Sequence, residues 1–242
     1  MLKILIFGLH LAFNIIITMK GYRIFIFLLL LVFTLNMNAQ RRFNDNYNRL
    51  GIQAGITHGG INSDNFNTSP KTSYMAGLTT RASFYKHFLI IYGVNFYEFK
   101  TGLMGHETIL LQSPTEIDFN VTGVQLNLFL GTKIFGEYLS IEAGPVLQIN
   151  SKMTTEDRYK NYYVEDYNIQ AEDLEDISKI NLNLAANISA GIRDVKFWFQ
   201  YQYGVNNIFK GLNTKGLENK DSRATNLKGH MGFATAGIVV YL

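Results

Sequence analysis

The sequence contains no cysteine, so it can form no disulfide framework and has no thiolate chemistry. Charged residues make up only 17% of the 242 residues, below the roughly 25% of an average soluble chain. The net charge of +3 is small and no basic block stands out, which argues against a nucleic-acid partner. Neither a Gly-x-Ser-x-Gly nor a His-Glu-x-x-His pattern occurs, so we expect no metal site and no cofactor.

The clearest pattern lies in residues 179–202, where apolar and polar side chains alternate in two long runs. Period-two alternation predicts β-strand, and a tight turn at Arg193-Asp194 between the runs predicts an antiparallel hairpin. The polar parity carries amides rather than surface charges. Aromatic residues reach 14% of the chain, enough for interfacial girdles. These features favour a barrel wall with lipid outside and a polar lumen inside.

The same alternation predicts eight strands between residues 49 and 242. They cover residues 49–57, 74–85, 88–99, 116–132, 138–152, 180–192, 195–202 and 229–242. The loops that we expect at 58–73, 100–114, 153–178 and 204–228 are long and polar, and they alternate with tight turns. Because the apolar parity changes near Thr122-Gly123, we also expect a bulge there. The predicted fold is all-β: an eight-stranded antiparallel up-and-down transmembrane β-barrel, located in the outer membrane with both barrel termini in the periplasm.

Residues 1–39 have the features of a signal peptide. A short basic region at 19–23 precedes an apolar stretch at 24–35, and Ala39 supplies the small residue before the expected cut at Gln40. We expect translation to begin at Met19, with a long signal or a membrane-anchoring helix as the alternative for the apolar residues before it. Residues 40–48 are polar and are interpreted as a periplasmic leader to the barrel at 49–242.

Several short segments resemble the PorT-like outer-membrane β-barrel family. They are Asn38-Ala39-Gln40 at the end of the signal peptide, Leu-Gly-Ile-Gln-Ala-Gly-Ile at 50–56, Tyr-Met-Ala-Gly-Leu at 74–78 and the apolar C-terminal strand. The resemblance spans about residues 40–242 and is one of pattern, because the family has no catalytic signature. It implies an eight-stranded outer-membrane barrel. Some relatives take part in type IX secretion, and most have no assigned activity.

Three charged residues fall on the predicted inward parity: Arg81, Glu142 and Arg193. Arg81 and Glu142 each lie about four residues from a predicted periplasmic turn, so we expect them at similar height, paired, with Arg193 near the periplasmic mouth. The amides that we expect to join them are Gln125, Asn127, Asn181 and Asn183. The simpler interpretation is a satisfied polar core, since buried charges need partners. The functional alternative is a gated proton or ion path.

Three histidines map to predicted extracellular ends: His58, His106 and His230. Some eight-stranded barrels are lipid A acyltransferases or deacylases with His and Ser at this rim. A general base needs a nucleophile within hydrogen-bond reach, and Ser63 and Asp64 near His58 are candidates only by proximity. We expect solvated histidines and no enzyme.

The predicted loop at 153–178 is acidic and rich in tyrosine. The residues that could form a docking surface are Tyr159, Tyr162, Tyr163, Tyr167, Glu172 and Asp173. The acidic spacing does not match the twelve-residue calcium loop. A solvated loop is the simpler interpretation, and a surface that binds a protein partner is the alternative, because tyrosine supplies contact area at low entropic cost.

The function that we expect is that of an integral outer-membrane barrel, in contact with outer-membrane lipid, with a structural or partner-binding role. A barrel enzyme that modifies lipid A is one alternative. A soluble lipocalin-like barrel that holds a small apolar ligand is another, although its exposed face should carry Lys and Glu rather than aliphatic side chains.

Overall fold

The computed structural model describes residues 48–84, 87–108 and 114–242; the predicted signal peptide and nearly all of the leader lie outside them. Eight long strands form the wall: β1 (Asn48–Ser63), β2 (Thr68–Phe84), β3 (Phe88–His106), β4 (Thr115–Phe135), β5 (Leu139–Asn150), β8 (Ile180–Gly191), β9 (Val195–Gly204) and β10 (Gly229–Tyr241). Shorter elements lie in the loops: β6 (Thr154–Thr155), β7 (Tyr163–Val164) and the 3-10 helices η1 (Asp157–Tyr159), η2 (Ala171–Leu174), η3 (Ile208–Thr214) and η4 (Leu217–Asn219).

Each wall strand pairs antiparallel with the next, and β1 closes the ring by pairing with β10. The closing ladder runs from Gly51 opposite Tyr241 to Ser63 opposite Gly229. The predicted eight-stranded antiparallel up-and-down barrel is therefore confirmed. In the described part of the chain, no helix is long and apolar enough to cross a membrane.

The outer surface of the barrel carries a continuous band of apolar side chains. In β4 the band runs from Val124 to Ile134, which is about 33 Å along the strand at ~3.3 Å per residue. A strand tilt near 40° reduces this to a height of about 25 Å, the height of the apolar band of outer-membrane barrels. Exposed aromatic side chains lie toward both edges of the band: Phe84, Phe88, Phe135, Tyr138 and Phe197 at one edge, and Tyr74, Phe96 and Tyr203 at the other.

The two ends of the barrel differ. At the turn end, short connections at 136–138 and 192–194 join β4 to β5 and β8 to β9, and Phe84 of β2 is only four positions before Phe88 of β3 in the sequence. At the loop end, the third loop (151–179) and the fourth loop (205–228) are long, as predicted. The first loop is only 64–67, because β1 and β2 continue as a hairpin through most of the predicted loop 58–73.

The expected bulge at Thr122-Gly123 is wrong. The register between β3 and β4 is unbroken, with Gly105 opposite Thr115 at one end and Phe88 opposite Thr132 at the other. The apolar side chains change parity in the sequence because the upper part of β4 is apolar on its inner face, where Ile117 is fully buried, instead of on its outer face.

A buried apolar core fills the loop end of the barrel. It joins inward side chains of the wall to side chains from the third and fourth loops: Ile61, Phe99, Leu103, Ile117 and Phe119 from the wall, and Val164, Ile169, Leu174, Ile208, Phe209 and Leu212 from the loops. The third and fourth loops together are called the loop cap below. The expectation of polar, solvated loops is wrong for their inner faces, since burial of apolar side chains from both loops stabilises a folded cap.

The only tryptophan, Trp198, lies inside the barrel at 7% exposure. Its ring covers Gly237 of the neighbouring strand, where an added Cβ would lie 2.4 Å from Trp198 Cζ2. A side chain at position 237 would therefore displace the indole ring.

Candidate functional site

The charged centre of the lumen is an ion pair between Arg81 of β2 and Glu142 of β5. Arg81 Nη1 donates to Glu142 Oε1 at 3.2 Å, and the two side chains are 1% and 0% exposed. β2 and β5 are not neighbours in the ring, so this contact crosses the barrel interior. It ties two distant parts of the wall together.

Three further polar groups complete the shell around Glu142. Its carboxylate accepts from Ser140 Oγ at 2.6 Å, from Asn187 Nδ2 at 2.6 Å and from Ser189 Oγ at 3.1 Å. Ser140 Oγ also accepts from Arg81 Nη2 at 2.7 Å. These partners were not singled out from the sequence, although their inward parity, shared with Glu142 or its paired strand, was a signal that could have found them.

The amides singled out from the sequence form a separate set of hydrogen bonds, closer to the loop end than the ion pair. Asn183 Nδ2 donates to Gln148 Oε1 at 2.6 Å and to Gln202 Oε1 at 3.2 Å, and Gln202 Nε2 donates to Gln125 Oε1 at 3.3 Å. Asn127 Oδ1 accepts from Asn95 at 3.2 Å. These bonds give most of the buried amides at least one partner, as buried polar groups require, whereas the Oδ1 atom of Asn183 has none.

Asn181 and Arg193 lie at opposite ends of the barrel. Asn181 donates to the Ser178 carbonyl at 3.2 Å and accepts from Asn206 Nδ2 at 2.8 Å, so it fastens the base of the loop cap. Arg193 lies exposed in the last short turn, where its carbonyl accepts from Arg49. It stands apart from the Arg81–Glu142 pair because its position belongs to the turn rather than to the inner face of a strand.

Two buried lysines lie near the turn end and were not singled out from the sequence. Lys196 is 1% exposed and donates to the Glu137 carbonyl, and Lys133 forms an ion pair with the Glu137 carboxylate. Lys196 follows the inward parity of β9, so its burial could have been predicted. Together with Arg81, these two lysines place three cations beside the carboxylates of Glu137 and Glu142, so this end of the lumen has a net positive charge.

The tyrosines of the predicted docking loop are largely structural. Tyr159, Tyr162 and Tyr167 are half-buried and pack against the apolar core of the cap. Tyr167 lies 5.4 Å from the ring of Phe66, and Tyr163 pairs through its backbone with β3. These tyrosines are therefore mostly engaged in contacts within the protein.

The two acidic residues singled out in this loop behave differently. Asp173 accepts from the backbone N–H of Gln170 at 3.0 Å, capping η2, and accepts from Lys220 of the fourth loop at 2.7 Å. Glu172 is exposed. Of the six residues, Glu172 is therefore the one whose side chain faces solvent.

The carboxylate of Asp221 also joins the two loops. Its carboxylate accepts from Arg223 Nε at 3.0 Å and from the backbone N–H of Asn168 in the third loop at 2.9 Å. The hydrogen bonds from the Arg223 side chain and then from Asn168 hold the pKa of Asp221 well below its usual range. The contact therefore favours the ionised carboxylate.

In the described residues, none of the three histidines forms a hydrogen bond with Ser63 or Asp64. His58 Nδ1 lies 3.1 Å from Thr72 Oγ1, and Ser63 donates instead to the Lys228 carbonyl at 2.6 Å. His230 Nδ1 lies 3.0 Å from the Gly204 carbonyl and its ring stacks on a tyrosine. The Nδ1 atom of His106 is buried without a hydrogen-bond partner.

Among residues 48–84, 87–108 and 114–242, no group of three His, Cys, Asp or Glu side chains could hold a metal ion.

No protein-family model matches the chain, and no curated protein matches it in sequence. Solved structures resemble it in backbone. Neisserial surface protein A is 13% identical, with 79% of this chain and 96% of that chain covered and a TM-score of 0.46. Ail of Yersinia pestis, in complex with the heparin analogue sucrose octasulfate, is 14% identical over 81% and 99% of the two chains, with a TM-score of 0.46.

The outer membrane protein OprG from Pseudomonas aeruginosa is 9% identical over 81% of this chain and 97% of that chain, with a TM-score of 0.38. With TM-scores below 0.5, these likenesses carry no argument about function. The architecture of this chain rests on its own strand pairing.

Proposed function

We propose that this protein is an integral outer-membrane β-barrel whose loop cap binds a partner at the cell surface. The observation that carries the membrane placement is the closed band of exposed apolar side chains on the barrel wall. Leu130, Phe96 and Phe197 are 63%, 66% and 65% exposed, although each is an aliphatic or aromatic side chain. An apolar surface of this extent is unfavourable in water and favourable in lipid.

The wall is closed, as a β-sheet must be if it spans a lipid bilayer. Every wall strand has a hydrogen-bonded neighbour on both sides, so no ladder of backbone groups faces the bilayer. The inner face is polar at mid-height, with Gln148 and Asn183 fully buried and hydrogen-bonded. A lipocalin-like barrel needs the reverse arrangement, with its apolar face inward, which disfavours that alternative.

The orientation that we propose puts the turn end in the periplasm and the loop cap outside the cell. Outer-membrane barrels have short periplasmic turns and longer extracellular loops. The third and fourth loops, at 151–179 and 205–228, are on one end, and the short turns are on the other.

We further propose that the barrel works without catalysis. The contacts of His58 and His230 support this, because one meets a threonine hydroxyl and the other a backbone carbonyl. Changing His58, His106 and His230 together to Ala should leave the lipid A mass spectrum of the host unchanged. A new or missing acyl chain in that spectrum would favour the lipid A enzyme instead.

A link to protein secretion is the narrowest part of the proposal, and only the resemblance to PorT-like proteins supports it. A strain that lacks the chain should then retain type IX cargo proteins inside the cell. Normal cargo in the medium would remove the secretion role and leave the barrel and its loop cap as proposed.

The membrane location is tested by fractionation. The chain with its own N-terminus should enrich in the outer-membrane fraction, and its band on a detergent gel should migrate differently without boiling, as folded barrels do. A chain that stays soluble would contradict the proposal.

The partner-binding role is tested by photo-crosslinking in cells. A photoreactive amino acid at Glu172, exposed on the loop cap, should capture a protein partner. The matched control is His87, exposed at the turn end. Equal products at both positions, or none at Glu172, would contradict a partner bound by the cap.

A further inference from the structure

A basic cleft of about 520 Å³ opens between the third and fourth loops. Four lysines line it: Lys152 and Lys179 from the third loop, and Lys210 and Lys215 from the fourth. Asp176 is the one carboxylate in the lining, and hydroxyls of Ser151, Ser178 and Thr214 complete it. We call this feature the lysine cleft. Its size lies within the range of small-ligand sites.

Two of the four ammonium groups are neutralised within the protein. Asp176 accepts an ion pair from Lys215 through one oxygen and from Lys152 through the other, the latter at 3.3 Å. Lys152 also lies 3.8 Å from Glu175. The Lys215 contact, and then the Lys152 contact, lower the pKa of Asp176, so these charges remain paired at neutral pH.

The other two ammonium groups, those of Lys179 and Lys210, are not neutralised in this way. No carboxylate in the described part of the chain lies within ion-pair distance of Lys179 or Lys210. Both side chains are exposed. The cleft therefore keeps an excess of positive charge that an external anion could neutralise.

The backbone holds these lysines together. Ser178 N–H donates to the Ile208 carbonyl at 2.7 Å, which fixes the end of the third loop against the start of η3. An added Cβ at Gly211 would lie 2.3 Å from the Asp176 carbonyl oxygen, so only glycine allows this close approach. Gathering like charges is unfavourable. A fold that fixes four lysines around one cleft therefore provides an anion site at some expense of stability.

The position of the cleft indicates where the anion comes from. Lys179 directly precedes Ile180, the first outward residue of β8, and Ile180 lies opposite Ile149 of β5. These two isoleucines are 61% and 46% exposed and belong to the apolar band. The lysine cleft thus lies next to the loop-end edge of the apolar band, which in the orientation given under Proposed function is the level of the headgroups of the outer leaflet.

We propose that the lysine cleft binds the phosphate groups of an anionic glycolipid of the outer leaflet, with the acyl chains against the wall below Ile149 and Ile180. The proposal rests on the membrane placement given under Proposed function. Each lysine near an anionic lipid surface contributes about 1 kcal/mol, so the two free lysines should contribute roughly 10- to 30-fold in affinity.

The test uses the full barrel folded in detergent micelles. Bis-phosphorylated lipid A is titrated into the protein, and the same lipid without its phosphates serves as the comparison. The double variant Lys179→Gln/Lys210→Gln should weaken binding of the phosphorylated lipid roughly 10- to 30-fold. Lys179→Arg/Lys210→Arg should keep the affinity, because it keeps both charges.

The control variant Lys160→Gln/Lys220→Gln removes two lysine charges that carboxylates already pair, at 2.7 Å from Asp157 and from Asp173, and should leave binding unchanged. The gel mobility of the unboiled protein shows whether each variant is folded. If the double Gln variant does not fold, the single variant Lys210→Gln is used in its place.

Three results would overturn the proposal. One is equal affinity of the Gln variant and the wild type. Another is equal binding of the lipid with and without phosphates. The third is a lysine-dependent affinity for dextran sulfate without affinity for the lipid, which would assign the cleft to a soluble polyanion. Each is read on folded protein, whereas the membrane placement itself fails only if the chain does not enrich in the outer-membrane fraction.

Discussion

Replacing Glu142 by Gln leaves the size of the side chain almost unchanged and removes its charge. Arg81 then keeps a full positive charge at 1% exposure with no anion opposite. At 3.2 Å, the attraction that is lost amounts to ~5 kcal/mol at an effective dielectric constant of 20. Removing one partner of a buried pair typically destabilises a protein by about 3–5 kcal/mol. We expect the lower part of this range, since the amide can still accept from Asn187.

The single tryptophan provides the assay. Trp198 is buried inside the barrel, so its fluorescence reports the loss of the closed wall when the protein is unfolded by urea from lipid vesicles. Glu98→Gln is the control, because Glu98 lies partly exposed on the outer wall with Lys100 at 3.3 Å, and such pairs contribute at most about 1 kcal/mol.

A second variant separates the ion pair from a general loss of packing. Arg81→Met/Glu142→Leu removes both charges at once, and replacement of a buried pair by apolar side chains is often neutral or stabilising. We therefore expect the double variant to recover part of the stability that Glu142→Gln loses, because Ser140 and Ser189 lose their acceptor while Asn187 still donates to Ser189. If Glu142→Gln falls by no more than the Glu98→Gln control, the reasoning about the buried pair is refuted.

Three more predictions concern the wall and the loop cap. Leu184→Arg places a charge in the middle of the apolar band and should reduce the free energy of unfolding by about 2–4 kcal/mol, whereas Thr72→Arg, outward and near the loop end, should be tolerated. An equal effect of the two in urea titrations would mean that the band does not face lipid. Phe209→Ala removes a fully buried ring from the core of the loop cap, a change that typically destabilises a protein by roughly 3–5 kcal/mol. Residues 205–228 should then become accessible to protease, while the unboiled protein still migrates on the gel as a folded barrel. Asp221 has a lowered pKa, so its contribution is complete above its unfolded pKa of about 3.9 and is lost as pH falls toward the folded value. Protease should therefore leave the loop cap intact at pH 7 and cut it progressively faster as the pH falls below about 3.9, whereas Asp221→Asn should already be cut at pH 7. Identical digestion of variant and wild type at pH 7 would contradict this.

The wall was predictable because lipid and lumen impose opposite demands on alternate residues. Leu184 and its neighbours on β8 follow that rule over the whole strand. The rule reverses where a strand leaves the apolar band. In the upper part of β4, Ile117 is buried inside and Glu116 faces out, so the polarity is inverted while the parity stays the same. A sequence pattern cannot distinguish this inversion from a bulge. In β1 and β2 the reason differs, because the Gly, Asn, Ser and Thr residues of 58–73 predict a loop although both strands continue into this segment.

The candidate sites were predictable only in part. Height and parity pointed to Arg81 and Glu142, since both lie on inner faces at a similar distance from the short turns. The loop cap had no such signal. Phe209 and Leu212 are apolar residues in a 3-10 helix, where the segment is too short for a period to appear. The lysine cleft forms only because the third loop packs against the fourth, which brings Lys179 close to Lys210. The sequence alone gives no sign that these two loops meet.

The unequal heights of the strands give the barrel a front and a back. β3 and β4 have 19 and 21 residues, whereas β5, β8 and β9 have 12, 12 and 10. The side of the wall formed by β3 and β4 therefore extends farther at the loop end than the opposite side and acts as a screen, and the loop cap packs against its inner face. Molecules that approach along the membrane from the side of the long strands meet this screen. Those that arrive from the side of the short strands reach the loops directly, so we expect a partner of the loop cap to approach from that side.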